Sequence, residues 1–586
     1  MSAAESGGRG GIRFQPDERP PPALALGLGA QLAVLSVAGI ILIPTVVMRA
    51  GGASESYLSW AVFATVAICG ATTILQAFRA WRLGSGHVLV MGASGAFIAV
   101  CITAVAEGGP ALMAILVLIA SFVPILLSAQ LSLFQRVLTP SVSGTVVMLI
   151  PVTVMPAVFD LLSAVPAETP ALAAPLSALV VVLVIAGIAL KMAGAWRLWA
   201  PVIGVIVGSG VAAIFGLYNA GRVVDAPWIG LPTGEWAGFD LAFGSSFWAL
   251  LPAFLFVAVI ASVRTVSGAV AIQRVSWRRA RAVDFRAVQG AVTVDGLGNL
   301  LSGLAGTTPN AATTVGASVT ELTGVGARSV GIATGAVFIL MAFLPKVLAI
   351  VLAIPGPVVA AYLGVLLAML FMVGMKIAIQ DGIDYRKGLI VGVSFWLGVG
   401  FQNDMVFPEL VREFAGGLFR NGVTTGGITA ILMTFFVELT GSRRSRIEAA
   451  FDLAVLPKIR EFLAGFAARS GWDAAMAERL DAACEETLLT LVREDEDEEQ
   501  RRRLRLSAHR EGNGAVLEFV VTSREDNIQD RLALLADDPG DAPAEQEVSL
   551  RLLRRLASSV RHQQYHGTDI VTVRVAAPAP PSAEKK

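Results

Sequence analysis

Long apolar runs recur along residues 23–440 of the chain, and short polar loops separate them. Several of the later runs are short or rich in glycine. A helix needs roughly 20 apolar residues to cross about 30 Å of hydrocarbon, so this pattern alone predicts about 11 to 14 membrane spans. The runs lie at 23–48, 57–78, 88–106, 110–134, 140–164, 170–195, 200–218, 247–272, 290–306, 308–323, 329–352, 357–374, 387–402 and 423–440.

The composition agrees with a polytopic membrane protein, because 55% of the 586 residues are hydrophobic and only 15% are charged. The formal net charge of zero hides a division, since charged residues are sparse up to Gly441 and dense beyond it. We therefore predict a disordered leader at 1–22, a membrane domain at 23–441 and a cytoplasmic α/β domain at 442–586. The leader lacks the apolar core of a signal peptide, so we expect it to remain cytoplasmic.

One apolar run contains a charged residue, which is unfavourable in a bilayer. Arg264 lies near the middle of 249–272, where a cation costs at least about 2.5 to 3.5 kcal/mol. Its side chain should therefore face a protein interior or a water-filled cavity. Soon afterwards, 295–314 combines four glycines with Pro309 and a threonine cluster, which indicates closely packed and broken helix.

Motifs in this region and in the first third of the chain are similar to those of the uracil/xanthine permeases, in the nucleobase-ascorbate transporter family. The similarity extends over 23–439. It rests on Asp295-Gly-Leu-Gly, Gly303-Leu-Ala-Gly306, Pro309-Asn310, Leu322-Thr-Gly-Val-Gly-Ala-Arg328, Gln31 with Pro44, and Gly92-Ala-Ser-Gly-Ala-Phe97.

This resemblance implies an α-helical membrane protein with about fourteen spans in two inverted seven-span repeats, with broken third and tenth helices. It also implies a homodimer that transports its solute by an elevator mechanism. With fourteen spans and a cytoplasmic N-terminus, the loop charges follow the positive-inside rule, and both termini are cytoplasmic. The cytoplasmic side then holds Arg79, Arg82, Arg136, Lys191, Arg197, Arg274, Arg278, Arg279, Arg281, Arg286, Arg328, Lys376, Arg386, Lys387, Arg443, Arg444 and Arg446. The opposite loops hold Glu55, Glu107, Asp160, Glu168, Asp225, Glu235, Asp240, Asp404, Glu409 and Glu413.

Two interrupted segments, 84–96 and 303–314, occupy corresponding positions in the two halves. Paired broken helices are the best sequence pointer to the site of an inverted-repeat transporter. Each segment should be extended and lead into a half-helix whose N-terminal N–H groups point at the midplane. We expect these helix ends at Ser94 and Gly95 and at Thr313, Thr314 and Gly316. The alternative is that the glycines serve only close helix packing.

The chain departs from the family pattern at the positions that bind solute. In the family, the eighth span carries a glutamate that binds ring N–H groups and is tied to proton coupling, and the tenth begins with Gln or Glu and then Asn. Here Arg264 stands at the glutamate, with Ser267 and Gly268 after it. Val315 and Gly316 stand at the Gln/Glu and Asn, and the histidine that follows Gln31 in the family is replaced by leucine.

An arginine fork matches carboxylates and other oxyanions, so the solute should be an anion or an acidic heterocycle bound as its anion. The alternative role for Arg264 is a structural pair with Asp295 or with carbonyls at span ends. Asp295 and Glu321 are candidates for a coupling carboxylate, although a glutamate near a span end is more often solvated.

The polar tail predicts helices at 447–470, 476–492 and 547–560 and strands at 503–508, 515–522 and 569–575. This order resembles the ATPase fold of anti-sigma factors and histidine kinases. The helix signature of that fold survives as Glu485-Glu-Thr-Leu-Leu-Thr490, with Thr490 at the position of the magnesium-binding asparagine. Its aspartate loop is replaced by Thr522-Ser-Arg-Glu525, so we expect no ATP hydrolysis.

The sequence therefore predicts a secondary transporter of a nucleobase-like solute such as uracil, xanthine or urate in the bacterial inner membrane. Two alternatives stay open: an anion permease with a sulfate-permease-like mechanism, and a non-transporting sensor that signals through its tail. No phosphate loop, activated nucleophile or metal cluster is recognisable, so we expect no enzyme activity, cofactor or metal. Expected partners are the solute, the bilayer, a second copy of the chain and a cytoplasmic regulatory protein bound by the tail, but no nucleic acid.

Overall fold

A computed structural model describes residues 11–131, 139–163, 165–166, 169–231, 236, 238–279, 281–379, 382, 384–409, 422–440, 445–450, 453–491, 503–511, 513–521, 527–534, 545–566 and 568–576. The chain divides into two compact units. The first comprises Met1–Arg278 and Ala287–Thr434, and the second comprises Arg279–Arg286 and Phe435–Lys586.

The first unit is a helical membrane domain. Within the described ranges, eight segments are long and apolar enough to cross a membrane, and a bent pair, Arg328–Ala342 and Pro345–Leu352, could form a ninth. The eight are Pro22–Ala50 (α1), Glu55–Ala77 (α2), Gly95–Ala129, Pro140–Ser163, Ala173–Lys191 (α6), Ala195–Ile214 (α7), Ser245–Val275 (α9) and Gly356–Ile379 (α14). The chain is thus a multi-pass membrane protein, and the count of fourteen spans stays a prediction.

The remaining helices are shorter or interrupted. Gly95–Ala129 contains Ile98–Ala120 (α3) and Phe122–Ala129 (α4), and α3 is broken at Gly108 and Gly109, just before Pro110. This break separates the two apolar runs predicted there. The other helices are Pro140–Asp160 (α5), Ala220–Asp225 (α8), Phe285–Ala305 (α10), Val315–Thr323 (α11), Arg328–Ala342 (α12), Pro345–Leu352 (α13), Tyr385–Gln402 (α15) and Gly422–Thr440 (α16).

The membrane helices pack in two groups. In one group α1, α2 and α12 contact one another and α3 contacts α9, whereas in the other α5 contacts α14 and α15, and α6 contacts α7 and α14. Glycines allow the closest approaches. A Cβ atom added to Gly70 would lie 2.8 Å from the carbonyl oxygen of Gly335, so only glycine lets α2 and α12 pack this closely.

Both predicted interruptions are extended. Met91–Ala93 (β1) and Asn310–Ala312 (β2) pair antiparallel, with Gly92 opposite Ala311. After β1 the chain turns through a short 3₁₀ helix, Gly95–Phe97, into α3, and after β2 it enters α11. The two half-helices therefore begin beside the same strand pair.

The N-terminal segment differs from the expected disordered leader. Residues 11–21 are held by backbone hydrogen bonds and ion pairs, including a parallel bridge between Phe14 and Val325. Disorder was expected because the segment is rich in glycine, proline and charge. It is ordered instead because its backbone groups and carboxylates find partners on the membrane domain. Residues 1–10 lie outside the described residues.

The second unit is an α+β domain. Ser445–Ala450 (β3), Arg503–Glu511 (β4), Gly514–Val521 (β5), Ser559–Tyr565 (β6) and Thr568–Val575 (β7) form an antiparallel sheet in the order β3-β4-β5-β7-β6. Its helices are Leu456–Arg469 (α17), Ala474–Leu491 (α18), Ile528–Leu534 (α19) and Glu545–Leu556 (α20). The core side chains include Leu463, Leu480, Leu506, Phe519, Leu553 and Val571.

Two tail predictions are wrong. The helix predicted at 447–470 begins only at Leu456, because the preceding residues pair as β3 with β4. The helix predicted at 547–560 ends at Leu556, and β6 follows it. Both missed strands lie at the sheet edges, where β3 pairs with the distant β4 and β6 forms a hairpin with β7, and this pairing outweighs local helical spacing.

Candidate functional site

The two half-helices start without side-chain caps. Ser94 precedes the turn into α3 and Thr314 precedes α11, and neither side chain caps its helix. The first N–H groups of a helix have no partner within the helix and carry partial positive charge. These two ends can therefore bind an anion or donate hydrogen bonds to a solute's oxygen atoms.

The strand pair fixes both ends in one place. The Ser94 backbone N–H donates to the Pro309 carbonyl at 2.8 Å, and the Thr313 N–H donates to the Val90 carbonyl at 2.8 Å. The Thr313 hydroxyl donates to the same carbonyl at 3.0 Å. The buried Ser94 hydroxyl has no hydrogen-bond partner among the described residues. Gly95 is also buried and follows directly.

Helix α9 lies against this crossing. A Cβ atom added to Gly268 would lie 3.5 Å from the Cβ of Ala312 and 4.0 Å from the Thr313 carbonyl oxygen, so the α9 backbone passes close to β2. Ser267 is exposed, and its hydroxyl donates to the Val263 carbonyl within the helix. Helix α1 also packs against the crossing, through contacts with β1, α3 and α11.

Thr265 connects α9 to the rest of the site. Its buried hydroxyl donates to Asp295 Oδ2 at 3.0 Å and accepts from the Ala312 backbone N–H at 3.3 Å. Sequence reasoning missed this threonine, although it follows Arg264 directly. A polar residue on the buried face of a membrane helix was the signal that could have found it.

Arg264 and Asp295 are left without an ion pair. Asp295 is fully buried, and its Oδ1 has no hydrogen-bond partner among the described residues. Arg264 is half-buried and makes no hydrogen bond, and no ion pair within 4.0 Å, with any residue that the structure describes. The direct pair that would give Arg264 a purely structural role is therefore not formed.

The other predicted residues are placed as follows. Gln31 on α1 is half-buried and makes no hydrogen bond within the described ranges. Thr314 is exposed and Val315 half-buried at the start of α11. At Gly316 a Cβ atom would collide with the Val88 carbonyl, so the asparagine of the family pattern does not fit this backbone.

Glu321 lies apart from the crossing. It is exposed near the C-terminal end of α11, about 9 Å along the helix axis from its first residue. The structure therefore brings Ser94, Gly95, Thr313 and Gly268 together at the crossing of β1 and β2, and Thr314, Val315 and Gly316 follow Thr313 directly.

A second set of buried polar contacts supports the extended segments. Asn299 Oδ1 accepts from the Asn310 backbone N–H at 2.7 Å, and the Asn310 side-chain amide donates to the Thr72 hydroxyl at 3.3 Å. The Gln76 amide donates to the Ala291 carbonyl at 2.9 Å and accepts from the Ser85 N–H. These contacts fix the strands on α2 and α10.

Comparison with known proteins identifies a family. Residues 24–406 match the sequence model of the xanthine/uracil permeases, described as "Permease family". The xanthine permease XanP of Escherichia coli is 27% identical over 443 residues, which is 72% of this chain and 93% of XanP. The uric acid permease PucK of Bacillus subtilis is 26% identical over 424 residues, which is 70% of this chain and 95% of PucK.

Two solved structures align with about three quarters of this chain. The transmembrane domain of a cyanobacterial bicarbonate transporter, BicA, aligns with a TM-score of 0.42 and 18% identity over 72% of this chain and 99% of that chain. The murine anion transporter Slc26a9, in an inward-facing state, aligns with a TM-score of 0.48 and 12% identity over 73% of this chain and 70% of that chain.

Proposed function

Because this chain belongs to the xanthine/uracil permease family, we propose that it is a secondary active transporter of a nucleobase-like solute such as uracil, xanthine or urate, bound as an anion. Its relatives are permeases rather than enzymes. The membrane is proposed to be the bacterial inner membrane, with both termini cytoplasmic.

The observation that supports an anionic solute best is the unpaired guanidinium of Arg264. A cation in a membrane span without a direct ion pair is costly, and a bound anion would lower that cost. The uncapped starts of α3 and α11 add N–H donors and positive partial charge from two other directions. A nucleobase anion presents carbonyl oxygens and a deprotonated ring nitrogen, which suit such donors.

The site would then recognise its solute through different hydrogen-bonding groups from those of the family pattern. The glutamate expected at position 264 would accept ring N–H groups, whereas arginine donates to carbonyl oxygens and ring nitrogens. Val315 and Gly316 offer only backbone groups, so side-chain donors and acceptors would come from Gln31, Ser94, Ser267, Thr313 and Thr314. Purines with several carbonyl oxygens that ionise readily, such as urate and xanthine, fit this donor-rich site better than neutral uracil.

Asp295 is the candidate for ion coupling. Thr265 satisfies one carboxylate oxygen and leaves the other without a partner, so a proton or a cation could bind there when the solute is present. The exposed Glu321 is a weaker candidate, because it lies near the C-terminal end of α11, away from the crossing.

We propose an elevator mechanism with about fourteen spans in two inverted repeats. Helices α3 and α9 of the site belong to the first helix group, which meets the second through contacts of α3 and α9 with α5 and of α1 with α7. Movement of the first group along the second would expose the site to either side of the membrane. Pairing of two chains through the second group would anchor that group in the bilayer.

Uptake into proteoliposomes tests the proposal. Radiolabelled urate, xanthine, uracil and sulfate are each offered to the purified protein, with protein-free liposomes as the control. We expect saturable uptake of urate and xanthine at a pH where they are anions, and weaker uptake of uracil. Preferred uptake of uracil would contradict the anionic site.

The other outcomes identify the alternatives. Sulfate uptake that purines do not inhibit would indicate an inorganic anion permease. The compact second unit favours a further candidate, a sensor that binds solute without transporting it. Urate binding to the purified protein without any flux would support that candidate and exclude transport.

A further inference from the structure

Residues 11–18, which we call the N-terminal strap, are attached to the end of α11. The backbone N–H groups of Arg13 and Phe14 both donate to the Gly324 carbonyl, at 2.7 and 3.1 Å. The Gly326 N–H donates back to the Phe14 carbonyl at 2.8 Å, and Phe14 and Val325 form a parallel bridge. The left-handed Gly324 (φ 69°) ends α11 and turns its carbonyl toward the strap.

Arg278 attaches the strap to α9. It lies just beyond the end of this helix, and its guanidinium binds both oxygens of the Glu18 carboxylate at 2.6 Å. The same guanidinium donates to the carbonyls of Ile12 at 3.0 Å and Arg13 at 2.7 Å. These contacts hold the pKa of Glu18 below its usual range, so the carboxylate is charged at neutral pH.

Arg328 attaches the strap to the segment that leads into β1. Its guanidinium pairs with Asp17 Oδ1 at 2.6 Å and donates to the Gly86 carbonyl at 2.9 Å. Its backbone N–H donates to the Pro16 carbonyl at 3.1 Å. One arginine therefore connects the strap, the start of α12 and the chain before β1.

These three segments are the ones that carry the solute site. Helix α9 holds Arg264, α11 supplies one helix N-terminus, and β1 leads to the other. We propose that the strap is a positioning device that fastens the ends of α9, α11 and the β1 segment, so that the parts of the site move as one body. Arg278 and Arg328 are its positioning residues. As far as it concerns transport, this inference rests on the proposed function.

The bonding pattern distinguishes the strap from an ordinary surface loop. A single exposed ion pair contributes little, because solvent screens it. Here each arginine binds a carboxylate and one or more backbone carbonyls together, and four backbone hydrogen bonds run alongside. Contacts arranged in such a network reinforce one another. The strap also precedes the residues that match the permease family, which begin at 24.

Hydrogen exchange of the full-length protein in nanodiscs tests the strap without any solute. Glu18→Ala and Arg278→Ala each remove the bidentate pair. We expect amide exchange in 88–97 and 315–323 to become at least about tenfold faster, which corresponds to the loss of one charge-assisted hydrogen bond. Arg19→Ala is the matched control, because Arg19 is exposed and has no hydrogen bond or ion pair with any described residue.

A double-mutant cycle separates coupling from general damage. Because Arg278 also donates to the carbonyls of Ile12 and Arg13, the double variant should exchange no faster than Arg278→Ala alone if Glu18 and Arg278 act as a pair. Glu18→Gln keeps the shape of the side chain and serves as the milder variant if either alanine variant does not fold. Additive effects, or unchanged exchange in both distant segments while the strap itself exchanges freely, would overturn the proposal.

A cross-link tests whether the strap stays attached during transport. Phe14→Cys and Val325→Cys place two thiols at the bridge, and urate uptake is measured before and after oxidation. Retained uptake supports a strap that moves with the site, whereas uptake that stops on oxidation and returns on reduction would show that the strap must detach. If no solute is transported at all, the proposed function fails, and the exchange result alone decides the positioning role.

Discussion

Replacing Arg264 by alanine is the perturbation that tests the solute site most directly. The substitution removes a half-buried guanidinium that has no ion pair with any described residue. Truncating one member of a buried, charge-assisted contact typically costs about 2 to 5 kcal/mol, so the Kd for an anionic solute should rise about thirtyfold to several thousandfold. Uptake of urate or xanthine at low concentration should fall by a similar factor.

The stability of the solute-free protein should respond differently. An unpaired cation in a membrane span costs at least about 2.5 to 3.5 kcal/mol on insertion scales, so its removal relieves a cost. We therefore expect the Tm of solute-free Arg264→Ala to stay the same or rise. If Arg264 acts instead as the counter-ion of Asp295, the variant leaves a buried carboxylate unpaired, and both Tm and expression should fall.

The assay combines three measurements on purified protein: Tm without solute, urate binding by calorimetry, and uptake into proteoliposomes. Arg274→Ala is the matched control, because it removes a cation from the exposed end of the same helix. Arg264→Lys keeps the charge but loses the planar fork, so its affinity should lie between wild type and alanine. Arg264→Glu restores the family's acid and should lose the anion while gaining weak binding of neutral uracil.

Two results would refute the reasoning. A stable Arg264→Ala protein with wild-type urate uptake would show that the backbone N–H groups, with Thr313 and Thr314, bind the solute without the arginine. A large loss of Tm without solute, with unchanged urate affinity in the protein that remains folded, would assign Arg264 a structural role.

Three further predictions concern topology, the tail and coupling. A reporter placed after Lys586 and one inserted near Arg279 should both be cytoplasmic, and either one found outside would contradict the fourteen-span arrangement. A purified fragment 446–586 should fold but show no magnesium-dependent ATP binding by calorimetry. Thr490 stands at the position of the magnesium-binding asparagine, and its hydroxyl donates to the Glu486 carbonyl of its own helix at 2.7 Å. Micromolar ATP binding would disprove this prediction. Asp295→Asn should abolish gradient-driven urate uptake but retain solute counterflow, and full gradient-driven uptake would exclude Asp295 as the coupling group.

The elements that sequence reasoning predicted well are those with local signals. Glycine and serine interrupt the apolar run at 84–96, and glycine, proline and threonine interrupt it at 303–314. The structure has its extended pair there. The long helices were also predictable from the lengths of their apolar runs, because bilayer thickness sets the length of a membrane span.

The elements that were missed depend on distant partners. Strand β3 is stable only because it pairs with β4. The strap is ordered only because it forms hydrogen bonds and ion pairs with Gly324, Arg278 and Arg328. The rotation of α9 about its axis decides whether the Arg264 side chain contacts Asp295. The spacing of residues along α9 does not predict the distance between these two side chains. Thr265 was overlooked for the same reason, since its partner lies on another helix.

The pairing of β1 with β2 links the two halves of the chain in a way that constrains their divergence. Each half supplies one strand and one helix end, and Ala93 lies directly opposite Asn310. A shift in one strand would move the helix start of the other half as well, because the same hydrogen bonds hold both. Changes of specificity in this protein should therefore require matched substitutions in both halves. A chimera that takes one half from a permease with another solute should bind neither parent's solute well.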